Sequence, residues 1–539
     1  MAESVSTSAD VPPGQGPSAP WYIRHWALLL VALLGVGVFF RMKHASDVYP
    51  TLDEQWHLNL STGRGTFIDL YPEQTLFVPP AVTSIDGAPP VWHIWTHMQG
   101  VLHPPLYVML LRLWRDVLGD SDITAITFSV AASLAALMFL FMAVRRRFGM
   151  GPAVASTLMM AVSASQSWIG IQIRGYAVVL AFCCALLWVI ARIETLGPSR
   201  LRTLGATLLI LALMLTHYFA VAACAVAAIY LLVVLRGRHR WEMLGGLVLS
   251  GAVYVLAWGP FFIQQAHDIA ALGDSWLVDP NQTIDTVIRR FLSFPLRSFY
   301  DDGDMRWSLA IVSGLIYVAA IALSFRWRDL RLWTLWMLAT PLLLLALDAE
   351  RHTIHLVLFR YFTPSTPAVF VVLTVMLWRT WRPLPLVLAP LAFAAALVWG
   401  TTPDRRGSPQ YFPISFGIAA SQSDDPAYPI VITNDGGPPW QAKGMLMELS
   451  HNLLTRGRTA AWVQSRADPA FVQQLAGKKF WATGFPALHT PEQILPGAKR
   501  LETYRAVGDY YFALMEVPSS PATAPISTRP TTLPASGTK

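Results

Sequence analysis

Residues 103–118 read HPPLYVMLLRLWRDVL, and whether this stretch crosses a membrane decides the topology of everything after it. It is apolar enough to pass for a span. At 1.5 Å per residue, however, it reaches only about 24 Å, short of the roughly 30 Å of hydrocarbon that a span must cross. Arg112, Arg115 and Asp116 fall on one helical face, and Pro104 and Pro105 open the helix, where proline is tolerated. The stretch therefore reads as an amphipathic helix in the outer membrane interface. Counting it as a span would also move the triplet Arg145-Arg146-Arg147, and every later basic loop, to the outside.

On either side of this helix the chain is dominated by long apolar runs. They lie near 24–41, 122–144, 151–169, 174–194, 201–218, 219–235, 241–263, 307–325, 331–348, 360–378 and 383–400, which makes about eleven spans. Basic clusters fall at 145–147, at Arg192/Arg200/Arg202, at Arg236/Arg238/Arg240, at Arg326/Arg328/Arg331 and at Arg379/Arg382. With the N-terminus in the cytoplasm, all of these loops are cytoplasmic, as the positive-inside rule requires. Composition agrees: 54% of the 539 residues are hydrophobic and 14% charged, with 21 Trp, against roughly 25% charged in an average soluble domain. Disorder, collagen and coiled coil are excluded. The net charge of +7 comes from these loop arginines and does not point to nucleic acid. Cys183, Cys184 and Cys224 sit inside apolar runs, so they read as small buried hydrophobes, with no disulfide framework.

The fold expected is a mainly α polytopic bundle with a small C-terminal α/β domain. Residues 1–20 and 519–539 are rich in Ser, Thr, Pro and Ala and read as disordered tails. No small-residue cleavage site follows the first apolar run, which reads as an uncleaved span. Residues 21–400 form the membrane domain. Residues 401–518 alternate strand-like runs (PIVITND, TAAWVQ, KKFWATG, YYFALMEV) with helical patterns, and read as an extracytoplasmic α/β domain. Three further outer loops, 42–121, 264–306 and 349–359, carry most of the remaining polar residues.

Phosphate-binding GxxxxGK[ST], CxxC pairs, HExxH and a GxSxG triad are all absent. The sequon Asn281-Gln282-Thr283 and the turn NDGGPP at 434–439 read as unspecific. What stands out is a set of polar residues at the outer ends of spans. Asp53 and Glu54 lie in a loop otherwise poor in charge, with His57 one turn later. His103 precedes the interfacial helix, and Gln172, Arg174 and Tyr176 open the fourth span. An arginine so near hydrocarbon must snorkel or meet an anion. His217 and Tyr218 end the fifth span, and Arg360 and Tyr361 open the tenth.

These residues carry a family resemblance. The order TLDEQWHLN, HPPLY, GDSDITAITFS, RRRFG, QIRGYAVVL, THYFA and RYFTPSTPA, over roughly residues 22–400, resembles the GT-C membrane glycosyltransferases. More narrowly it resembles the bacterial relatives of protein O-mannosyltransferases and aminoarabinose transferases. The resemblance implies a polyprenyl-phosphate sugar donor, interfacial helices in the first loop and an extracytoplasmic active site in the cytoplasmic (inner) membrane. It also implies inversion at the anomeric carbon, and an acceptor that is a cell-envelope glycan, lipid or protein. It places the catalytic acid at Asp53, with Glu54 completing the pair, and a phosphate-side basic position at His103. Many relatives carry an acid where this chain has Gln172. A neutral amide is no base and a poor ligand, so Asp53 is left as the single base and the expectation of a divalent metal is weakened.

The chemistry suits the parts. A lipid-linked phosphate is a fair leaving group, so the acceptor hydroxyl needs one carboxylate base. The departing phosphate needs fixed donors, for which Arg174, Arg360 and His103 are candidates, with Gln172, Tyr176, His217, Tyr218 and Tyr361 as further substrate-binding positions. The other reading is a polytopic transporter or lipid flippase with an outer binding domain. Transporters carry repeat halves and helices broken near the midplane; here no repeat is visible and the polar residues cluster at one face.

Overall fold

A computed structural model of the chain describes residues 25–45, 50–98, 103–271, 278–279, 281–300, 305–382, 384–399, 428–434, 442–447, 451, 459–464, 466–484, 491–505 and 511–519. The expected tail at 1–20, that at 519–539 apart from Ser519, and most of the 434–439 turn lie outside these residues. The chain divides into two compact units. The first comprises Met1–Val48, Gly100–Trp114 and Ser121–Thr402, and the second Tyr49–Gln99, Arg115–Asp120 and Pro403–Lys539.

Along the chain the principal helices are α1 (Trp26–Ala45), α2 (Leu52–Ser61), α3 (Leu106–Leu118), α4 (Asp122–Phe148), α5 (Met150–Val162), α6 (Ala164–Ile169), α7 (Tyr176–Leu196) and α8 (Arg200–Met214). They continue with α9 (Val221–Val234), α10 (Arg238–Ala271), α11 (Ile284–Arg297), α12 (Trp307–Arg326), α13 (Arg331–Arg351), α14 (Thr366–Thr380) and α15 (Leu384–Trp399). Every apolar run read from the sequence is helical. Among the described residues six helices are long and apolar enough to cross a membrane by length and composition, and α5, α9 and α14 are shorter apolar helices. The chain is a multi-pass membrane protein.

Local chemistry sets the helix boundaries. Ser121, Ser199 and Thr283 cap α4, α8 and α11 by accepting the N–H of Thr124, Arg202 and Thr286 at 3.2, 3.4 and 3.3 Å. The run 151–169 is split at Ser163, whose hydroxyl caps α6 while also donating to the carbonyl of Ser298 at 2.8 Å. Gly149, at φ 91°, turns the chain between α4 and α5 in a conformation that L side chains rarely adopt.

In the first unit α4 packs along α7, and the core joins Leu137, Leu140 and Phe141 to Val179, Cys183 and Leu187. All three cysteines are buried and free. By contrast α10 exposes Val248, Leu249, Val255 and Leu256, as a lipid-facing helix should. The basic clusters meet at one end of this unit. Arg147 reaches Glu194 at 3.4 Å, and Tyr230 donates to the same carboxylate. Arg379 grips Asp329 with both Nη atoms at 3.0 and 2.6 Å and lies over Phe148.

The second unit is built on a five-stranded sheet, β1 (Ile430–Asn434), β2 (Ala460–Gln464), β3 (Lys479–Gly484), β4 (Lys499–Arg505) and β5 (Tyr511–Glu516), in the order β2-β1-β3-β5-β4. β1 runs parallel to β2 and β3, and β5 is antiparallel to β3 and β4. Side chains alternate between faces. Ile430, Ile432, Trp462 and Trp481 join Phe67, Tyr71 and Val82 on one face, while Val431, Val463, Phe480 and Met515 form the other core. The long first loop is thus part of this unit. Phe77 exchanges backbone hydrogen bonds with Ala460 at 3.0 and 2.7 Å, and the Trp462 indole donates to the carbonyl of Tyr71 at 3.0 Å.

Candidate active site

At the end of the first unit remote from the basic clusters, four non-consecutive segments bring rings together. His103, just before α3, lies 5.7 Å from His217, between α8 and α9. Tyr176, the first residue of α7, is 5.2 Å from His217 and 6.5 Å from Tyr361. His217 and Tyr361 are 6.2 Å apart, and Phe219 packs against both at 5.6 and 4.8 Å. The α3 and α8 segments are tied by the Leu106 N–H donating to the carbonyl of Leu215 at 3.0 Å.

Arg174 and Gln172 are buried in the turn before α7. The carbonyl of Gln172 accepts from the Arg174 N–H at 2.8 Å and from the hydroxyl of Ser129 at 2.5 Å, which pins the turn to α4. Arg360 lies with its guanidinium 5.6 Å from the Tyr361 ring. Tyr218 is directed away from the rings: its hydroxyl donates to Gln265 and accepts from the Trp258 indole at 3.0 Å. Gln265 in turn donates to the carbonyl of His103 at 3.4 Å.

Two groups that sequence reasoning missed hold the Arg360 segment. Arg297 of α11, fully buried at 0% exposure, donates to the carbonyls of Leu356 and Val357 at 2.6 and 2.5 Å, and lies over Phe359 and Phe362. Asp348 of α13 grips residues 353–356 from the other side. The signal for Arg297 was weak, since a proline interrupts its helix and the surrounding loop reads as polar.

In the second unit Asp53 and Glu54 occupy the first turn of α2, whose Leu52 and Trp56 pack on the sheet. Glu54 is buried, and its Oε2 accepts the N–H and hydroxyl of Thr51 at 2.8 and 2.9 Å, so it caps its own helix. Asp53 is half-buried. The Nδ1–H of His57 donates to the backbone carbonyl of Asp53 at 2.7 Å, one turn back along the helix. The polar face of α3 also differs from expectation: Arg112 and Arg115 are buried rather than solvated. Arg115 donates to the carbonyls of Leu58 and Thr83 at 3.1 and 2.6 Å and pairs with Asp120, which fastens α2 within its unit.

A bundle of apolar helices with its arginines at one end, polar rings at the other and a mixed α/β unit defines the GT-C class in fold. The resemblance to mannosyltransferase-like and ArnT-like membrane proteins is borne out by comparison with known proteins. Residues 102–261 match the family described as dolichyl-phosphate-mannose-protein mannosyltransferase. No curated protein sequence matches the chain. Among solved structures it is similar to ArnT from Cupriavidus metallidurans in the apo state, with a TM-score of 0.51 and 14% identity, covering 92% of this chain and 98% of that one. The same protein bound to undecaprenyl phosphate gives 0.50 and 12%, with the same coverage of 92% and 98%.

Proposed function

We propose that the protein is a glycosyltransferase that moves a sugar from a polyprenyl-phosphate donor to an extracytoplasmic acceptor, with inversion at the anomeric carbon. The observation that carries this reading is the convergence of His103, Tyr176, His217 and Tyr361 at the N-terminus of the 21-residue α7, beside Arg174. A helix N-terminus carries partial positive charge and unsatisfied N–H groups, which suit a phosphate. Arg174 and Arg360 supply planar donors that match phosphate oxygens in pairs, and His103 adds a third. That ArnT has been captured with undecaprenyl phosphate supports the donor class.

In this mechanism the acceptor oxygen attacks the anomeric carbon as its proton passes to Asp53. The carbon–oxygen bond to phosphate breaks, its electron pair leaves with the phosphate, and a single displacement inverts the configuration. Glu54, committed to capping α2, supports Asp53 rather than sharing its role. The site faces the outside of the bacterial inner membrane, where the lipid tail lies among apolar helices.

The experiment is binding of undecaprenyl phosphate to the full chain in lipid nanodiscs. Arg174→Gln and Arg360→Gln should each weaken it about 10- to 100-fold, the usual scale for losing a charge-assisted bond. Unchanged affinity in both variants would refute the phosphate assignment.

A further inference from the structure

Asp348, at 1% exposure, is held by its own turn. Its Oδ1 accepts the Thr353 hydroxyl at 2.7 Å and the His355 N–H and Nδ1 each at 2.9 Å, while Oδ2 accepts the Leu356 N–H at 2.8 Å. Thr353 fixes the imidazole tautomer. Its single hydroxyl hydrogen goes to Asp348, so toward His355 Nδ1, 2.8 Å away, it can only accept. A carboxylate likewise only accepts. Nδ1 therefore carries the hydrogen, and in the neutral ring Nε2 presents a lone pair. Among the described residues no group hydrogen-bonds this Nε2.

The His355 ring stands edge-on to Phe219 at 5.4 Å and lies 5.8 Å from Tyr361, so it belongs to the ring cluster. His217, across the Phe219–Tyr361 pair, has the opposite tautomer: its Nδ1 accepts the Phe219 N–H at 3.2 Å, which puts the hydrogen of the neutral ring on Nε2. One imidazole offers an acceptor and the other a donor, on either side of two aromatic faces. A pyranose has the complementary surface, with C–H faces for rings and hydroxyls that both give and take hydrogen bonds. Arg174 and Arg360 neighbour the cluster's Tyr176 and Tyr361 in the chain, and the acid bonded to its His355, Asp348, is turned onto its own loop. An ammonium group on the sugar would meet these two arginines, while both oxygens of Asp348 are already taken by its own turn.

Building on the glycosyltransferase reading, we propose that this cluster is the sugar subsite, that it takes a neutral hydroxylated sugar, and that Asp348 positions His355 Nε2 to accept a hydrogen bond from one of its hydroxyls. Asp348 is a positioning residue and His355 a binding residue.

The test compares undecaprenyl phosphate with its mannosyl, glucosyl, galactosyl and 4-amino-4-deoxyarabinosyl derivatives, bound to the full chain in nanodiscs. Wild type should bind at least one neutral-sugar lipid more tightly than bare undecaprenyl phosphate. His355→Phe should erase that gain, about tenfold, while binding the bare lipid as wild type does. Asp348→Ala removes the acceptor that holds the hydrogen on Nδ1 and frees the ring to turn and to take the other tautomer. It should erase most of the same gain, and the ¹⁵N signals of His355, assigned by their absence in His355→Phe, should show the hydrogen shared between the two ring nitrogens. A gain only from the amino sugar, equal losses for bare and sugar-bearing lipids, or an Asp348→Ala variant with unchanged sugar gain would each overturn the subsite. Wild type that binds bare undecaprenyl phosphate but gains from no neutral sugar sinks this inference alone. Wild type that binds none of the lipids sinks the transferase reading and this inference with it.

Discussion

At the scale of single residues, two adjacent carboxylates have separate fates. Consecutive side chains on a helix diverge by about 100°, so Asp53 and Glu54 cannot serve one point, and Glu54 is held by Thr51. Asp53→Asn preserves shape and removes basicity, so transfer should fall by about 10²–10⁴, measured as initial rate with the fold checked by thermal unfolding. Glu54→Gln weakens the cap instead, costing roughly 1 kcal/mol, and should lower the unfolding temperature more than the rate. The reverse pattern, a dead Glu54→Gln and a fully active Asp53→Asn, would exchange the two roles. The pair itself was legible because it is an island of charge beyond the first span. Its division was legible only in the alternation of side-chain directions; that Thr51 takes Glu54 depends on where the helix starts. Arg41, at the end of the first apolar run, is hard to place for the same kind of reason. It reads as a flanking cation, yet it is fully buried, donating to Ser133 at 2.6 Å and to the carbonyl of Ala161 at 3.2 Å. A cation at a span's end looks alike in sequence whether it faces headgroups or a neighbouring helix.

At the scale of elements, hydropathy located the helices because each span must satisfy its backbone internally and present apolar side chains to lipid. It could not show which helices touch. Gly151 illustrates the missing information: a Cβ there would stand 2.1 Å from the Trp378 indole, so α5 approaches α14 as closely as it does only with glycine at this point. Gly151→Ala should therefore destabilise the bundle by about 1–3 kcal/mol, the usual cost of overpacking, read as a lower midpoint of thermal unfolding in detergent. Trp378→Leu in the same chain should recover most of the loss. If Gly151→Ala unfolds at the wild-type temperature, the α5–α14 contact is looser than described. The amphipathic α11 was not legible at all, since its polar arginines and Pro295 resemble loop. Arg297 shows why the structure tolerates it: the two carbonyls it satisfies have no sequence signature, being supplied by residues about sixty positions away.

At the scale of the molecule, the C-terminal strands were readable from alternation, but their sharing of a core with the first loop was not. Phe67, Tyr71 and Val82 belong to a loop more than three hundred residues upstream of the sheet they cover; such contacts are decided by tertiary packing, to which local patterns are blind. Trp462→Ala would remove the ring that this core surrounds and the donor to Tyr71, a change worth about 3–5 kcal/mol in comparable sites. Limited proteolysis should then cut within residues 62–92, where the wild type resists; equal resistance would mean that the loop holds without the sheet. The orientation of the chain rests on separate physics. The arginine clusters converge at one end of the first unit, and the positive-inside rule predicts that this end is cytoplasmic. On the proposed orientation the sheet unit, which follows α15, is predicted to lie outside. Lys478 is exposed on that unit, and the three native cysteines are buried and unreactive toward a polar reagent. In intact cells Lys478→Cys should react with a membrane-impermeant maleimide as fully as in opened membranes, while the parent chain reacts in neither. Labelling only after the membrane is opened would place the sheet unit in the cytoplasm, reverse the arginine assignment and leave the ring cluster on the wrong side for an extracytoplasmic acceptor.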